Sequence, residues 1–285
     1  MRNKKLKFFF IIIGTLILIS FLITIMESSL TAGKVAIVNI KGIIVDSKPS
    51  IDEIKQYRKD PSIKAIVLRV DSPGGAVVPS QEIYEEIKRT IKSKPVVVSM
   101  GSIAASGGYY ISCPATKIIA NPGTLTGSIG VLIEIPNIKG LLDKIGVKAE
   151  VIKSGKYKDI TSPFKPLQNE EKEILQKLTN DVHEQFIKAV AEGRKVPVED
   201  IKKIADGRVF TGLKAKELGL VDEIGDLDYA IKIAAQLAKI KGEPEIVTKK
   251  STLLIDFLKG NTESLVKKIL PYMQVYYLYS PTSQN

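Results

Sequence analysis

The sequence predicts an α/β fold with a mostly parallel sheet, flanking helices and a helical C-terminal part. Three observations carry that reading. Ile63–Val70 and Val96–Met100 are near-continuous apolar runs, the pattern of strands covered on both faces. Between them Ile83, Ile87 and Ile91 repeat at helical spacing. Glycine-rich turns follow the strand-like segments, and strands alternating with helices build parallel sheets.

Taken in order, Val35–Val45 reads as one long strand or a bent pair, with Gly42 as the bend. Ser50–Arg58 reads as a short helix and Asp71–Gly75 as a turn. Pro79 suits a helix start. Ile103–Cys113 reads as a helix of small residues, Lys117–Ala120 as a short strand and Ala149–Lys153 as another. Asn169–Gly193 reads as one long charged helix with Ile174, Leu178, Val182, Phe186 and Ile187 as its apolar positions. Shorter helices are expected at Val198–Ile204, Thr211–Leu218 and Asp226–Ile240. No flexible linker interrupts residues 34–240, so they are read as one domain. Residues 241–285 form an extension whose polar end, Tyr276–Asn285, is expected to be mobile.

A transmembrane helix is expected ahead of this domain. Phe8–Ile25 is 18 residues without a charge. At ~1.5 Å per residue it covers ~27 Å, close to the hydrocarbon thickness of a bilayer. A cleaved signal has a shorter apolar core, so 8–25 reads as a signal-anchor and 26–33 as a short linker. Arg2, Lys4, Lys5 and Lys7 hold residues 1–7 in the cytoplasm. The expected location is the cell membrane, single-pass, with the folded part outside.

Composition narrows the chemistry. Of 285 residues, one is cysteine and one is histidine. Cys113 alone allows no intrachain disulfide and no all-cysteine metal site, and His183 alone gives no histidine cluster. The net charge of +11 fits nucleic acid or an anionic membrane surface. No tryptophan and 6% aromatic residues argue against base-stacking modules, and an outward-facing domain meets no nucleic acid.

Sites in α/β sheets gather at the carboxyl ends of strands. The first glycine-rich turn there is Asp71-Ser72-Pro73-Gly74-Gly75, where a ligand can approach backbone N–H groups. The second is Gly101-Ser102-Ile103-Ala104-Ala105-Ser106-Gly107-Gly108. Ser106 there can be a nucleophile beside a helix N-terminus, with the Gly107 N–H facing an oxyanion. Ser102 is a rival. Ala104 breaks the G-x-S-x-G pattern and disfavours an α/β-hydrolase elbow. The third turn, Asn121–Gly130, is rich in hydroxyls.

A serine nucleophile needs a base. His183 lies mid-helix among charged residues and reads as exposed. A lysine serves if neutral, which needs a pKa fall of ~3 units, or ~4 kcal/mol, from burial. Lys156 and Lys158 in Ser154–Ile160 are both candidates. Cys113, Tyr109 and Tyr110 are expected in the core behind the nucleophile.

Five segments together resemble one family. They are DSPGG at 71–75, MGSIAASGGYY at 100–110, NPGTLTGSIGV at 121–131, SGKYKDI at 154–160 and ADGRVFTGLKAKELGLVDEIG at 205–225. In that order and spacing, over residues 34–240, they resemble the signal peptide peptidase A (protease IV) family in its short, single-domain bacterial form. The resemblance implies a ClpP/crotonase-like fold and a Ser-Lys dyad with Ser106 as nucleophile and Lys158 as general base. It implies that Ser128 positions the lysine. Gly75 and Gly107 would supply the oxyanion hole, with Gly74 the close alternative to Gly75. It also implies a ring-shaped homo-oligomer with sites lined by neighbouring subunits, acting on remnant signal peptides and other hydrophobic peptides at the membrane. No metal or organic cofactor is implied. Two alternatives are a related Ser-Lys protease specific for one partner and an acyl-CoA hydratase or isomerase of the same fold. The outward-facing anchor argues against a CoA substrate.

Overall fold

The computed structural model describes residues 13–15, 17–20, 33–249 and 276–278. The strands are β1 (Lys34–Lys41), β2 (Ile63–Ser72), β3 (Gly74–Ala76), β4 (Val96–Ala105), β5 (Lys117–Ala120), β6 (Leu125–Gly127), β7 (Val209–Thr211), β8 (Glu223–Ile224), β9 (Glu245–Thr248) and β10 (Tyr276–Leu278). The helices of the domain are α1 (Lys48–Lys59), α2 (Val77–Thr90), α3 (Gly107–Ser112), α4 (Lys139–Lys144), α5 (Asn169–Arg194), α6 (Val198–Lys202), α7 (Gly212–Glu217) and α8 (Leu227–Leu237).

Eight strands form the main sheet. Its path runs β7-β6-β4-β2-β1-β9, and β5 joins β4 to β8. The central pairs are parallel, with Ile37 opposite Val67 and Leu68 opposite Val98. Among the described residues only β6 with β7 is antiparallel in this sheet. The strand β9 lies beyond Ile240 and extends the sheet from β1. β4 serves two partners on one edge. Its first half pairs with β5 and its last three residues pair with β6. That split carries the chain on beyond the sheet and delivers Ser106 at its tip.

Two-sided burial follows from the period of two along a strand. Ala36, Val38 and Ile40 of β1 face a core shared with Ile54 of α1, Ile83 and Ile87 of α2 and Phe186 of α5. Val35 and Ile37 face the opposite way, against Ala230, Ala234 and Ala235 of α8. The small alanines let α8 lie close on β2 and β4. Each fully buried Leu, Ile or Phe contributes roughly 1.5–3 kcal/mol. The helix α5 begins with a capping box between Gln168 and Glu171, and Phe186, Ile187 and Val190 anchor its second half in the core.

Several expectations are corrected. Ile103–Cys113 is not one helix, because Ile103–Ala105 pairs with Leu125–Gly127 and the helix starts only at Gly107. Asp71–Gly75 is not a simple turn. Asp71 and Ser72 end β2, while Gly74 and Gly75 open β3, held where Ile44 bridges Gly75. That bridge, beyond Gly42 at φ 70°, makes Val35–Val45 the bent pair. Ala149–Lys153 is exposed and irregular, and among the described residues no strand pairs with it. Ile174 and Leu178 are exposed at 38% and 44%, so the first half of α5 stands off the core. Within the expected tail, Tyr276–Leu278 pairs with β3 as a short strand, and residues 279–285 lie outside the described residues.

The apolar run 8–25 lies outside the described residues except for 13–15 and 17–20, which are helical. Among the described residues no helix is long and apolar enough to cross a membrane.

One buried bond tests the packing of α3. Tyr109 is fully buried and its hydroxyl donates to the Leu220 carbonyl at 2.9 Å. Tyr109→Phe leaves that carbonyl unpaired and is expected to cost about 1–3 kcal/mol. Urea unfolding measures it, and an unchanged midpoint would contradict this packing.

Candidate active site

The site is built where β4 ends and α3 begins. Ser106 sits between them at φ 55° and ψ −119°. A non-glycine residue at positive φ is strained and persists only where its surroundings hold it. Here the Ser106 N–H donates to the Gly127 carbonyl at 2.8 Å, and the Ser106 carbonyl accepts from Tyr110 at 2.8 Å. Ser106 is 1% exposed. Ser128, the residue after Gly127, has φ 50° and donates its N–H to the Arg208 carbonyl at 2.9 Å. Of four non-glycine residues at positive φ among those described, these two serines are joined through one backbone bond. Strain is concentrated at this point of the fold.

The two glycines named for the oxyanion hole do meet. A Cβ on Gly107 would lie 3.0 Å from the Gly75 nitrogen and 2.8 Å from Ser80 Oγ. A Cβ on Gly75 would lie 2.1 Å from the Ile44 carbonyl oxygen. Both positions therefore exclude any side chain. The Ile44 N–H donates to the Gly74 carbonyl and the Ala76 N–H donates to the Ile44 carbonyl. Alternation along a strand then turns the Gly75 N–H to the other edge, the edge beside α3.

Side chains within the first and third glycine-rich turns fix this geometry. Ser72 Oγ accepts the Gly74 N–H at 3.1 Å. Asp71 Oδ1 accepts the Ile103 N–H at 3.2 Å, tying β2 to the last part of β4. Thr126 Oγ1 donates to the Ala104 carbonyl at 2.7 Å and Thr124 Oγ1 to the Gly101 carbonyl at 2.8 Å. Sequence reading saw these hydroxyls only as turn chemistry. Their spacing in the third glycine-rich turn was the available signal. Ser102 is exposed and precedes the strained turn by four residues, so it lacks the setting of Ser106.

The lysines part company. Lys156 is held by Glu170 at 2.5 Å, and that carboxylate raises its pKa. Lys153 pairs with Asp159 at 2.6 Å, and Lys165 pairs with Asp159 and Glu171. Lys158 is exposed on the same turn, with its N–H on the Gly155 carbonyl. Among the described residues no ion pair or hydrogen bond engages its ammonium, and none joins it to Ser106. The single chain thus brings together Ser106, Ser128, Gly75 and Gly107, and among the described residues no hydrogen bond joins Lys158 to them.

His183 corrects an expectation. It is half-buried, with Nε2 3.2 Å from the Ile129 carbonyl, because α5 passes under the loop that carries Ser128. Tyr109, Tyr110 and Cys113 are core residues as expected. Tyr110 packs between Tyr84 and Phe186 with tilted rings, their centroids 5.1 and 5.0 Å away. Burial pushes the Cys113 thiol up, out of the range where a thiolate forms at neutral pH.

A buried serine at positive φ on a strand-to-helix turn, with the backbones of Gly75 and Gly107 packed closely together beside it, is suited to acyl transfer. Peptidase family S49 matches residues 88–241, and Clp protease matches residues 49–124. The chain is 43% identical over 202 residues to a protease-named protein of Methanocaldococcus jannaschii, covering 71% of this chain and 65% of that one. It is 40% identical over 251 residues to Protease 4 of Salmonella typhi, covering 85% of this chain and 40% of that one. An Enterococcus faecium protein named as a candidate signal peptide peptidase SppA is 34% identical over 241 residues, covering 80% and 70%. The chain belongs to peptidase family S49.

Burial of Cys113 predicts its reactivity. At pH 8 the native protein should resist iodoacetamide, and the thiol should react at the free-cysteine rate only after unfolding. Rapid labelling of the folded chain, read by intact mass, would contradict the buried setting.

Proposed function

We propose that the chain is a membrane-anchored serine endopeptidase with a Ser-Lys dyad. It would degrade remnant signal peptides and other hydrophobic peptides at the outer face of the bacterial cytoplasmic membrane. The observation that carries the reading is the convergence of the Gly75 N–H and Gly107 beside the strained Ser106.

In this reading Ser106 Oγ attacks a peptide carbonyl while Lys158 takes its proton. The N–H groups of Gly75 and Gly107 stabilise the oxyanion. Lys158 then returns the proton to the leaving amine and activates the water that hydrolyses the acyl-enzyme. Ser128 holds the lysine. A carboxylate partner stabilises a charged lysine, and among the described residues Lys158 is in no ion pair where Lys153, Lys156 and Lys165 each have one. That favours Lys158 over Lys156 as the base.

Lys158 reaches a serine in a neighbouring copy, and the assembly is a ring. Support comes from the exposed apolar residues Leu141, Ile145, Val147, Val151 and Ile152 on the segment leading to it. A run of this kind is characteristic of a surface covered by another subunit. A hydrophobic substrate is supported by a pocket of about 450 Å³ beside β3, lined by Val77, Val78, Pro79 and Val182. Anchoring in lipid is supported by the exposed helical residues Ile17, Leu18 and Ile19.

The test is hydrolysis of a hydrophobic fluorogenic peptide by the full chain. Ser106→Ala and Lys158→Ala should each lose at least about a hundredfold in kcat/KM, and Lys156→Ala should stay within a few-fold. Gly107→Ala should lose about 10²–10³ by displacing an oxyanion donor. A folded Lys158→Ala protein with near-full activity would overturn the base assignment.

A further inference from the structure

His183 links helix α5 to the turn that carries Ser128. Ser128 is buried and stands at φ 50°, and a residue strained in this way persists only where its neighbours hold it. Backbone bonds supply part of that hold. The Gly127 carbonyl takes the Ser106 N–H, the Ser128 N–H meets the Arg208 carbonyl, and the Ile129 carbonyl takes the Gly207 N–H at 3.2 Å. Gly207 is itself at φ 86° in the loop before β7, and glycine is conformationally permissive. The Ile129 carbonyl has a second lone pair, and His183 Nε2 lies 3.2 Å from its oxygen. A carbonyl oxygen only accepts, so Nε2 carries the hydrogen in this contact. The ring comes from a firm support. Phe186 and Ile187, three and four positions on, share its side of α5 and are buried, whereas Leu178 on the preceding turns is exposed. His183 thus sits where α5 joins the core. Among the described residues Ser128 Oγ makes no hydrogen bond, which leaves the hydroxyl available to a partner.

We propose that His183 is a positioning residue for the reaction: it donates Nε2–H to the Ile129 carbonyl and so fixes the turn that presents the Ser128 hydroxyl to Lys158. The inference rests on the peptidase reading above and adds the group that sets the lysine's seat. His183 moves no proton and touches no substrate. It acts through one carbonyl, one residue beyond Ser128. A site is held most precisely by residues whose own positions are locked by packing, and the core-anchored half of α5 offers that where the loop around Gly207 does not. The neighbouring residues Val182 and Gln185 line the apolar pocket beside β3. The same stretch of helix therefore separates two effects. Loss of the His183 bond disturbs the lysine's seat and lowers kcat, whereas a general shift of α5 disturbs the pocket and raises KM.

Peptide hydrolysis by the full chain separates this role from simple packing. His183→Ala should lower kcat about five- to tenfold and leave KM within about twofold. His183→Gln can donate its amide N–H from nearly the same place and should stay within about twofold of wild type, while the shorter His183→Asn should fall with the alanine variant. A loss confined to KM, or equal losses in the glutamine and asparagine variants, overturns the proposal. Ser128→Ala supplies a second test. Adding His183→Ala to it should cost less than about twofold more, because the bond then holds a seat without a hydroxyl, and full additivity overturns the coupling. The third readout needs no catalysis. The chain has one histidine, so isotopic labelling of histidine ring nitrogens, read by NMR, reports this ring alone. Above the ordinary histidine pKa of ~6.5 the neutral ring should carry its hydrogen on Nε2. A neutral ring with its hydrogen on Nδ1 overturns the bond. A wild type inert toward peptide sinks the peptidase reading, whereas an active wild type matched by His183→Ala sinks this inference alone.

Discussion

The close approach of β3 and the start of α3 is the constraint on which the rest of the site depends. Two backbones meet where neither Gly75 nor Gly107 has room for a Cβ. The contact fixes the separation of the two backbones beside Ser106. It also fixes where β4 must stop. Ser106 then has to turn the chain from strand to helix within one residue, and its positive φ is the consequence. The surrounding bonds hold that strain in place. Gly127 takes the Ser106 N–H, Asp71 ties β2 to β4, and Thr126 ties β6 to β4. Preorganised donors of this kind are effective because they need no rearrangement when charge develops.

The sheet was legible in the sequence where burial is two-sided. Ile63–Val70, Val96–Met100 and Lys117–Ala120 all lie in strands, because continuous apolar runs have few other uses in a chain of this composition. The long helix was legible for a similar reason, with its end reached at Arg194. What was not legible depends on pairing at a distance. Ile103–Ala105 has small residues that suit a helix, and only the ladder to β6 makes it a strand. β3 is three residues with two glycines, and its strand character comes from Ile44. Ala149–Lys153 has a strand-like composition and finds no partner. Tyr276–Leu278 has residues that suit a strand, but its pairing with β3 lies about 200 positions away along the chain, beyond the reach of local pattern.

Within the site, the glycine-rich turns pointed to Gly75, Ser106 and Gly107 from residue chemistry alone. The choice of Lys158 over Lys156 came from the motif resemblance, and the ion pairs of the 154–160 turn add an electrostatic reason that no spacing could carry. Lys158 stands on an exposed turn, its ammonium in no ion pair among the described residues, and the apolar segment before it is exposed. His183 was misjudged because helical neighbours of like polarity hide a tertiary contact. Its ring meets the Ile129 carbonyl, one residue from Ser128.

The central claim is that the chain presents one reactive serine at the strand-to-helix turn, activated by its setting and not by composition. Covalent labelling with a fluorophosphonate, followed by peptide mass mapping, tests it most directly. The account predicts a single adduct per chain on Ser106 in the folded, peptide-hydrolysing protein. An adduct on Ser102 or Ser128 in its place, or active protein that takes up no label, would contradict it.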